Sequence, residues 1–332
     1  GASGMRRTWR VGIGICVMAL VAMACGGAEP PATEEAPALG TDATEGGELS
    51  GSIEIDGSST VEPLTLAVSE EYRAEAPDVV VNVGRSGTGG GFERFCGTGD
   101  IQIADASRPI EQEEADLCAQ NGIEYVELRI GTDALTMVVN PATEFVDCLT
   151  TEEVQGIWGP DAATSWDQVR PDFPAEPLAV FAPGADSGTY DFFNETVLEP
   201  AGIEQPRQDY NSSEDDNIIA QGVIGTPGAW GYFGFAFFQA SADQLKALAY
   251  DSGEGCVEPS VETAQDESYG LTRPLFIYVR TDALAEPRVA GFVTFYLNTV
   301  NSVIADVGYI PEPDADLAEA QMALEQAIAG AG

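Results

Sequence analysis

Three short turns in the chain carry the residue types that bind anions. Each combines small hydroxyl residues with glycine and runs directly into a segment with helical apolar spacing. The turns are Ser58-Ser59-Thr60, Ser86-Gly87-Thr88-Gly89-Gly90-Gly91 and Asp186-Ser187-Gly188-Thr189. A helix start exposes unpaired backbone N–H groups and a partial positive charge, glycine lets the backbone approach a ligand, and Ser or Thr adds a hydroxyl donor. Together the turns predict one tetrahedral oxyanion bound from several sides.

Each turn also has a simpler interpretation when it is taken alone. The first is typical of a helix N-cap, and the third is typical of a turn followed by a cap. The glycine run is typical of a flexible turn, and it lacks the GxGxxG spacing of a dinucleotide-binding loop. The oxyanion hypothesis therefore depends on the three turns coming together.

The elements that must position these turns alternate between strands and helices from residue 51 onward. The first helix has its apolar face at Val61, Leu64, Val68 and Tyr72. Strands are predicted at 52–55, 79–83, 101–103, 135–140 and 178–182, with 79–83 buried. A last helix covers 316–329, and its apolar face holds Leu317, Met322, Leu324 and Ile328. The alternation indicates an α/β fold with a mostly parallel sheet that binds ligands at the carboxyl ends of its strands.

Two strongly apolar segments, 134–139 and 274–279, bracket the middle of the chain. They are predicted to be two crossings between lobes.

Composition excludes several classes of function. The chain has 332 residues, and 14 Lys and Arg against 55 Asp and Glu give a net charge of -41. This charge argues against a nucleic-acid partner. The chain has no histidine, which excludes a Ser-His-acid triad and weakens any metal site, and Lys246 is its single lysine. No enzymatic activity, cofactor or metal is predicted.

The N-terminal segment predicts export. Arg6, Arg7 and Arg10 precede a short apolar run over 11–24, which is typical of a signal peptide spanning residues 1–24. Residues 1–4 are either a cloning scar or a misassigned start. Small residues before Cys25 resemble a bacterial lipobox and predict lipidation of Cys25. Residues 25–50, rich in Pro and Glu, are predicted to be a disordered linker, and the folded part is expected outside the cytoplasm.

Four cysteines remain after the predicted cleavage and lipidation. They allow three pairings. We favour Cys96–Cys118 as a short-range disulfide and Cys148–Cys256 as a disulfide that joins the two ends of a long segment. An extracytoplasmic location favours oxidised thiols.

Four motifs occur in an order and at separations that resemble the phosphate-binding lipoproteins of the high-affinity phosphate ABC transporter, the Pst type. They are Asp56-Gly57-Ser58-Ser59-Thr60-Val61-Glu62-Pro63, Ser86-Gly87-Thr88-Gly89-Gly90-Gly91-Phe92, Ala106-Ser107-Arg108-Pro109-Ile110 and Asp186-Ser187-Gly188-Thr189. The resemblance implies a type II periplasmic-binding-protein fold, with two lobes joined by two crossings around a ligand cleft. On that analogy, one lobe is 51–133 plus 273–332 and the other is 134–272.

The resemblance also implies a set of phosphate-binding residues. They are Ser59, Thr60, Val61, Ser86, Thr88, Gly89, Asp105, Ser107, Arg108, Asp186, Ser187, Gly188 and Thr189. Phosphate at neutral pH still carries a proton, and a buried carboxylate that accepts this proton would reject sulfate. Asp105 is the first candidate for that carboxylate, and Asp186 is the second.

The sequence departs from the family pattern just before the third turn. Some members have an arginine there, whereas this chain has Pro183-Gly184-Ala185. Arg108 is the hypothetical replacement.

The resemblance implies a monomeric, extracytoplasmic solute-binding protein that captures inorganic phosphate. It would pass the ligand to a membrane permease driven by an ATPase subunit, and only its lipid anchor would touch the membrane. The alternatives are a binding protein for sulfate, molybdate or phosphonate, and a surface lipoprotein without a transport role.

Overall fold

A computed structural model describes residues 49–185 and 187–331. The predicted signal peptide 1–24, Cys25, the linker up to residue 48 and Asp186 lie outside the described residues. None of the described helices combines the length and the apolar character needed to cross a bilayer.

The bounds of the strands and helices are as follows. The strands are β1 (Ser50–Gly57), β2 (Asp78–Val83), β3 (Ile103–Ala106), β4 (Tyr125–Val139), β5 (Cys148–Thr150), β6 (Ala179–Pro183), β7 (Asn211–Ser213), β8 (Ala229–Gly234), β9 (Lys246–Ala247), β10 (Ala249–Asp251), β11 (Cys256–Val257) and β12 (Thr272–Arg280). The α-helices are α1 (Glu62–Tyr72), α2 (Gly87–Phe92), α3 (Gln112–Gln120), α4 (Thr151–Trp158), α5 (Trp166–Val169), α6 (Gly188–Phe193), α7 (Asp216–Gly225), α8 (Phe235–Ala240), α9 (Val261–Gln265), α10 (Pro287–Val303) and α11 (Asp314–Ala331). Short π-helices follow α2 at Glu93–Thr98 and α6 at Asn194–Leu198, and 3₁₀ turns lie at Glu199–Ala201 and Ala283–Ala285.

The main sheet has the strand order β2-β1-β3-β12-β4-β8-β6-β7, with β9 also paired to β4. β1 runs parallel to β2 and β3, and β6 runs parallel to β7 and β8. β12 is antiparallel to both β3 and β4. A small separate sheet has the order β11-β10-β5. The sheet is therefore mixed, with two parallel groups joined through antiparallel strands.

Strand β4 changes its partner halfway along its length. Its residues 125–134 pair with β12, and its residues 135–139 pair with β8. We call the elements on the β12 side the first lobe and those on the β8 side the second lobe, and a separate large apolar cluster packs in each. The predicted division into 51–133 plus 273–332 and 134–272 stays a prediction, and the change of partner at residues 134–135 supports it.

The predicted strands and helices are found close to their expected positions, with four differences. β4 begins at Tyr125, ten residues before the predicted start at 135. β2 was predicted to be buried, but it is an edge strand on which only Val79 is buried. β3 begins and ends later than predicted, so Asp105 lies inside the strand and not after it. On α11, Leu324 is buried as predicted, whereas Met322 is 53% exposed because it turns away from the cluster.

Both favoured disulfides are confirmed. Cys96 is bonded to Cys118, which ties the π-helix after α2 to α3. Cys148 is bonded to Cys256, which joins β5 to β11 across a separation of 108 residues.

The carboxyl group of Asp105 is buried in the first lobe. Its Oδ2 accepts a hydrogen bond from the Thr65 hydroxyl at 2.9 Å, and this hydroxyl also lies 3.1 Å from the Tyr296 hydroxyl. Oδ1 has no hydrogen-bond partner among the described residues. Burial raises the pKa of Asp105 to about 8, and the negative charges of Glu62 and Asp56 add to this effect against the opposing bond from Thr65. Asp105 is therefore held largely protonated at neutral pH.

We expect the free energy of unfolding to fall between pH 5 and pH 8 because of Asp105. A carboxyl whose pKa is raised on folding contributes its stability below its ordinary pKa and loses it as the pH rises through the folded value of about 8. Asp105→Asn, which cannot ionise, should flatten this fall by at least about 1 kcal/mol in urea unfolding. Asp306→Asn, at an exposed position, is the control and should keep the wild-type slope. An Asp105→Asn variant with the wild-type slope would contradict the assignment.

Candidate functional site

The first turn connects β1 to α1 and is buried. The Ser58 hydroxyl oxygen accepts the backbone N–H groups of Thr60 at 3.2 Å and Val61 at 3.4 Å. The Ser59 hydroxyl donates to Asp191 on α6 at 3.3 Å, and the Tyr309 hydroxyl donates to the Thr60 carbonyl at 2.8 Å. Ser58 therefore occupies the backbone N–H groups of Thr60 and Val61, while the Ser59 hydroxyl and the Thr60 carbonyl bond residues of neighbouring elements.

The second turn lies against the first. A Cβ atom on Gly91 would lie 2.6 Å from the Cα atom of Gly57, so only glycine allows this approach. The Ser86 N–H donates to Asp56 at 2.9 Å, and the Thr88 hydroxyl lies 3.1 Å from the Ser107 hydroxyl. The glycine-rich turn is therefore a packed start of α2 and not a flexible loop.

The carboxylate of Asp56 holds the first two turns together. It accepts the N–H groups of Gly57 and Ser86 on one oxygen and the Arg94 guanidinium on the other. Burial alone would raise the pKa of Asp56, but the hydrogen bonds from Arg94 and Ser86 hold it below its ordinary value. Asp56 thus stays ionised and anchors the second turn.

The third turn begins α6 and lies against the first turn from the other lobe. The Ser187 hydroxyl oxygen accepts the N–H of Thr189 at 3.2 Å. A Cβ atom on Gly188 would lie 3.1 Å from the Thr60 hydroxyl oxygen and 3.3 Å from its Cα atom. The first and third turns are therefore in contact across the two lobes.

An arginine that sequence reasoning missed lies where these two turns meet. The Arg273 side chain, from β12, donates through Nη2 to the Thr60 hydroxyl oxygen at 2.5 Å and to the Gly188 carbonyl at 3.0 Å. Its Nε donates to Asp133 at 3.0 Å, and its guanidinium lies 4.2 Å from the centre of the Phe192 ring. Arg273 is 7% exposed, so this buried cation links both lobes directly.

Sequence signals for Arg273 were present but weak. Arg273 directly precedes the apolar segment 274–279, and Asp133 directly precedes 134–139. A rare basic residue and an acid beside the two predicted crossings become an ion pair only if the strands are antiparallel and in register. That register is fixed by tertiary structure and was not readable from spacing.

Two cavities flank the contact between the first and third turns. The acidic cavity, of about 560 Å³, is lined by Ser59, Glu62, Pro63, Arg85, Ser187, Gly188, Thr189, Glu214, Asp215, Asp216, Asn217, Gly234, Phe237, Val307, Gly308 and Tyr309. The basic cavity, of about 470 Å³, is lined by Gly87, Thr88, Gly89, Ser107, Arg108, Phe192, Glu195, Thr196, Thr272 and Arg273. The three turns converge, but they do not line one common hollow, because the Thr60–Gly188 contact and Arg273 lie between the two cavities.

Burial raises the pKa values of two acids that line the cavities. Burial raises the pKa of Asp216, in the acidic cavity, to about 6. Burial also raises the pKa of Glu195, whose Oε2 lies 3.7 Å from Nη1 of Arg273. The basic cavity has two guanidinium groups and two hydroxyl-bearing turns, so it suits an oxyanion better than its neighbour does.

Arg108 reaches the basic cavity, but it is paired with acids. Its guanidinium makes two bonds to Glu114, at 2.8 and 2.7 Å, and lies 3.2 Å from Glu111. These bonds raise the pKa of Arg108. The guanidinium in contact with the first and third turns is that of Arg273, and the hypothesis that Arg108 replaces the missing arginine stays a prediction.

The other predicted residues are distributed as follows. Ser59, Ser187, Gly188 and Thr189 line the acidic cavity, and Thr88, Gly89, Ser107 and Arg108 line the basic one. Thr60 and Val61 are buried beside them, Ser86 is bonded to Asp56, and Asp186 is outside the described residues. Asp105 lies in the core beside Thr65 and lines neither cavity, so its predicted contact with the ligand has no support in the structure.

Comparison with known proteins gives consistent matches over most of the chain. Residues 32–299 match the family model described as a PBP superfamily domain. Protein SphX of Synechocystis sp. is 46% identical over 281 residues, which are 83% of this chain and 83% of that protein. The phosphate-binding protein PstS of Staphylococcus saprophyticus is 36% identical over 287 residues, 86% of this chain and 88% of that protein.

A solved structure agrees with the fold. The crystal structure of a possible phosphate-binding protein from Planctomyces limnophilus matches with a TM-score of 0.80 at 41% identity, covering 84% of this chain and 99% of that one. The chain therefore belongs to the PBP superfamily, with the two-lobed α/β fold, and groups within it with the Pst-type phosphate-binding proteins.

Proposed function

We propose that this protein is an extracytoplasmic solute-binding protein that captures inorganic phosphate between its lobes and delivers it to an ABC permease and its ATPase. The relatives named for phosphate binding support this proposal. The single observation that carries it is the Arg273 guanidinium, which joins Thr60 of the first turn to Gly188 of the third beside a cavity lined by Thr88 and Ser107. Lipidation at Cys25, a monomeric state and the absence of catalysis belong to the same proposal.

The chemistry of this site suits a tetrahedral oxyanion. Phosphate oxygens are strong acceptors, and the Thr60, Thr88 and Ser107 hydroxyls supply donors from different directions, with the positive charge of Arg273 beside Thr60. Hydrogen bonds to a charged partner contribute about 1.5–3 kcal/mol each. A binding role uses these donors directly, whereas nucleophilic catalysis would require a base beside one hydroxyl.

The net charge of -41 does not prevent anion binding. Exposed charges are largely screened beyond about 8 Å at physiological salt. Donors at hydrogen-bond distance in a buried site are screened far less. The nearby dipoles and Arg273 therefore outweigh the distant acids.

Thr88→Val and Ser107→Ala should each weaken phosphate binding about 10- to 100-fold, because each removes one hydroxyl from the basic cavity. The measurement is isothermal titration of the purified protein with phosphate, and with sulfate and arsenate as competitors. Thr164→Val is the matched control, since its hydroxyl bonds Gln168 at an exposed position. Wild-type affinity in both cavity variants would refute the assignment of this cavity. Tighter binding of sulfate than of phosphate would identify a different oxyanion as the ligand.

Gly188→Ala should weaken phosphate binding roughly 5- to 100-fold, because the new methyl group must push Thr60 away from the contact between lobes. The matched control is Gly156→Ala in α4, where a Cβ atom meets nothing within 4 Å. The same titration checks both variants. Equal affinities in Gly188→Ala and Gly156→Ala would show that the first and third turns need not meet in the bound protein.

A further inference from the structure

We propose that Asp133, Arg273 and Thr60 form a positioning chain that fixes the Thr60 hydroxyl as a donor to the bound oxyanion. Because Asp133 and Arg273 lie on the two crossing strands, the orientation of this hydroxyl depends on those strands. This inference rests on the proposed function and goes beyond it. Arg273 acts on the first and third turns from outside all four predicted motifs. It is thus a positioning residue that the motifs do not contain.

The positioning chain begins near the end of the pairing between β4 and β12. Asp133 and Arg273 lie opposite each other in the antiparallel register, one pair before the last, Ala134 with Thr272. The next residue of β4 pairs with β8 of the second lobe. Asp133 and Arg273 are 1% and 7% exposed. The ion pair is therefore buried at the point where the chain passes between lobes.

Arg273, the middle residue of the positioning chain, determines the direction of the Thr60 hydroxyl. A threonine hydroxyl has one hydrogen to donate and can accept, whereas a guanidinium only donates. Because Nη2 of Arg273 donates to the Thr60 oxygen, the Thr60 hydrogen must point elsewhere. An oxyanion without a proton on that oxygen only accepts, so the Thr60 hydroxyl is oriented to suit it. The charge-assisted bond from Arg273 also polarises this hydroxyl and strengthens it as a donor.

The same guanidinium masks a group that would repel an anion. The Gly188 carbonyl points its negative end at the contact between the turns, and Nη2 of Arg273 bonds it at 3.0 Å. Asp133 fixes Nε, so the guanidinium plane cannot turn away without losing that bond. A single side chain thus orients a donor in the first lobe and covers an acceptor in the second.

The protein offers a control group on β4, one of the two crossing strands. Arg129 on β4 donates to the Thr132 hydroxyl at 2.9 Å and pairs with Glu312, which is buried, at 3.1 Å. This group repeats the arginine–threonine–acid arrangement away from the ligand turns. Arg129→Gln therefore reports the general cost of removing such a group near the crossings.

The experiment is titration of the purified protein with inorganic phosphate, together with thermal unfolding of each variant. Arg273→Gln should lower affinity about 10- to 100-fold and Arg129→Gln less than about threefold. Removing Arg273 alone leaves a buried carboxylate unpaired, so the double variant Asp133→Asn/Arg273→Gln is included to preserve folding. Thr60→Ser, which keeps the hydroxyl, should stay within about threefold of wild type, whereas Thr60→Val should lose about tenfold or more.

A double-mutant cycle separates positioning from general destabilisation. If Arg273 acts through the Thr60 hydroxyl, Thr60→Val should cost much less in the Asp133→Asn/Arg273→Gln background than in the wild type. Additive losses, or an equal loss in Arg129→Gln, would overturn the inference while the wild type still binds phosphate. A wild type that binds no phosphate would overturn the proposed function and this inference together.

Discussion

The structure depends on one buried guanidinium placed between two lobes of a strongly acidic protein. Transferring a cation from water into a protein interior costs several kcal/mol, and the cost is offset only when its donors are satisfied. Arg273 meets this condition through the Asp133 carboxylate, the Thr60 hydroxyl and the Gly188 carbonyl, with the Phe192 ring over its face. These partners come from β4, the first turn and α6, so satisfying the cation requires β4, β12 and the first and third turns to be in place together.

Small residues make this arrangement sterically allowed. Gly91 lets the second turn approach Gly57, and Gly188 lets the third turn approach Thr60. A methyl group at either glycine would meet atoms of the first turn at 2.6 or 3.1 Å, which the buried backbone has little freedom to relieve. The glycines on which the prediction of an anion site rested therefore act first by allowing the turns to pack closely against each other. Their effect on the ligand follows from that packing, since the hydroxyls beside them are positioned by it.

Local features were predictable from the sequence, and long-range ones were not. The apolar spacing of Leu64, Val68 and Tyr72 gave α1, and short-range turn chemistry gave the three helix starts. Asp105 was expected after a strand because the apolar pair at 101 and 103 suggested an early end, but the strand continues through Ala106 between β1 and β12. Arg273 was missed because its role exists only in the antiparallel register of β4 with β12, which no local pattern encodes.

The departure from the family pattern is explained by the same register. This chain lacks an arginine before its third turn, and the crossing strand β12 places the Arg273 guanidinium where the first and third turns meet. Arg108 is closer in sequence to the motifs, yet its guanidinium is held by Glu114 and Glu111. Arg108 is bonded by two acids in a partly exposed position, whereas the buried Arg273, which pairs with Asp133 and lies 3.7 Å from Glu195, directs its Nη2 at the first and third turns. Position in the fold, and not proximity in sequence, therefore decides which arginine contacts the first and third turns.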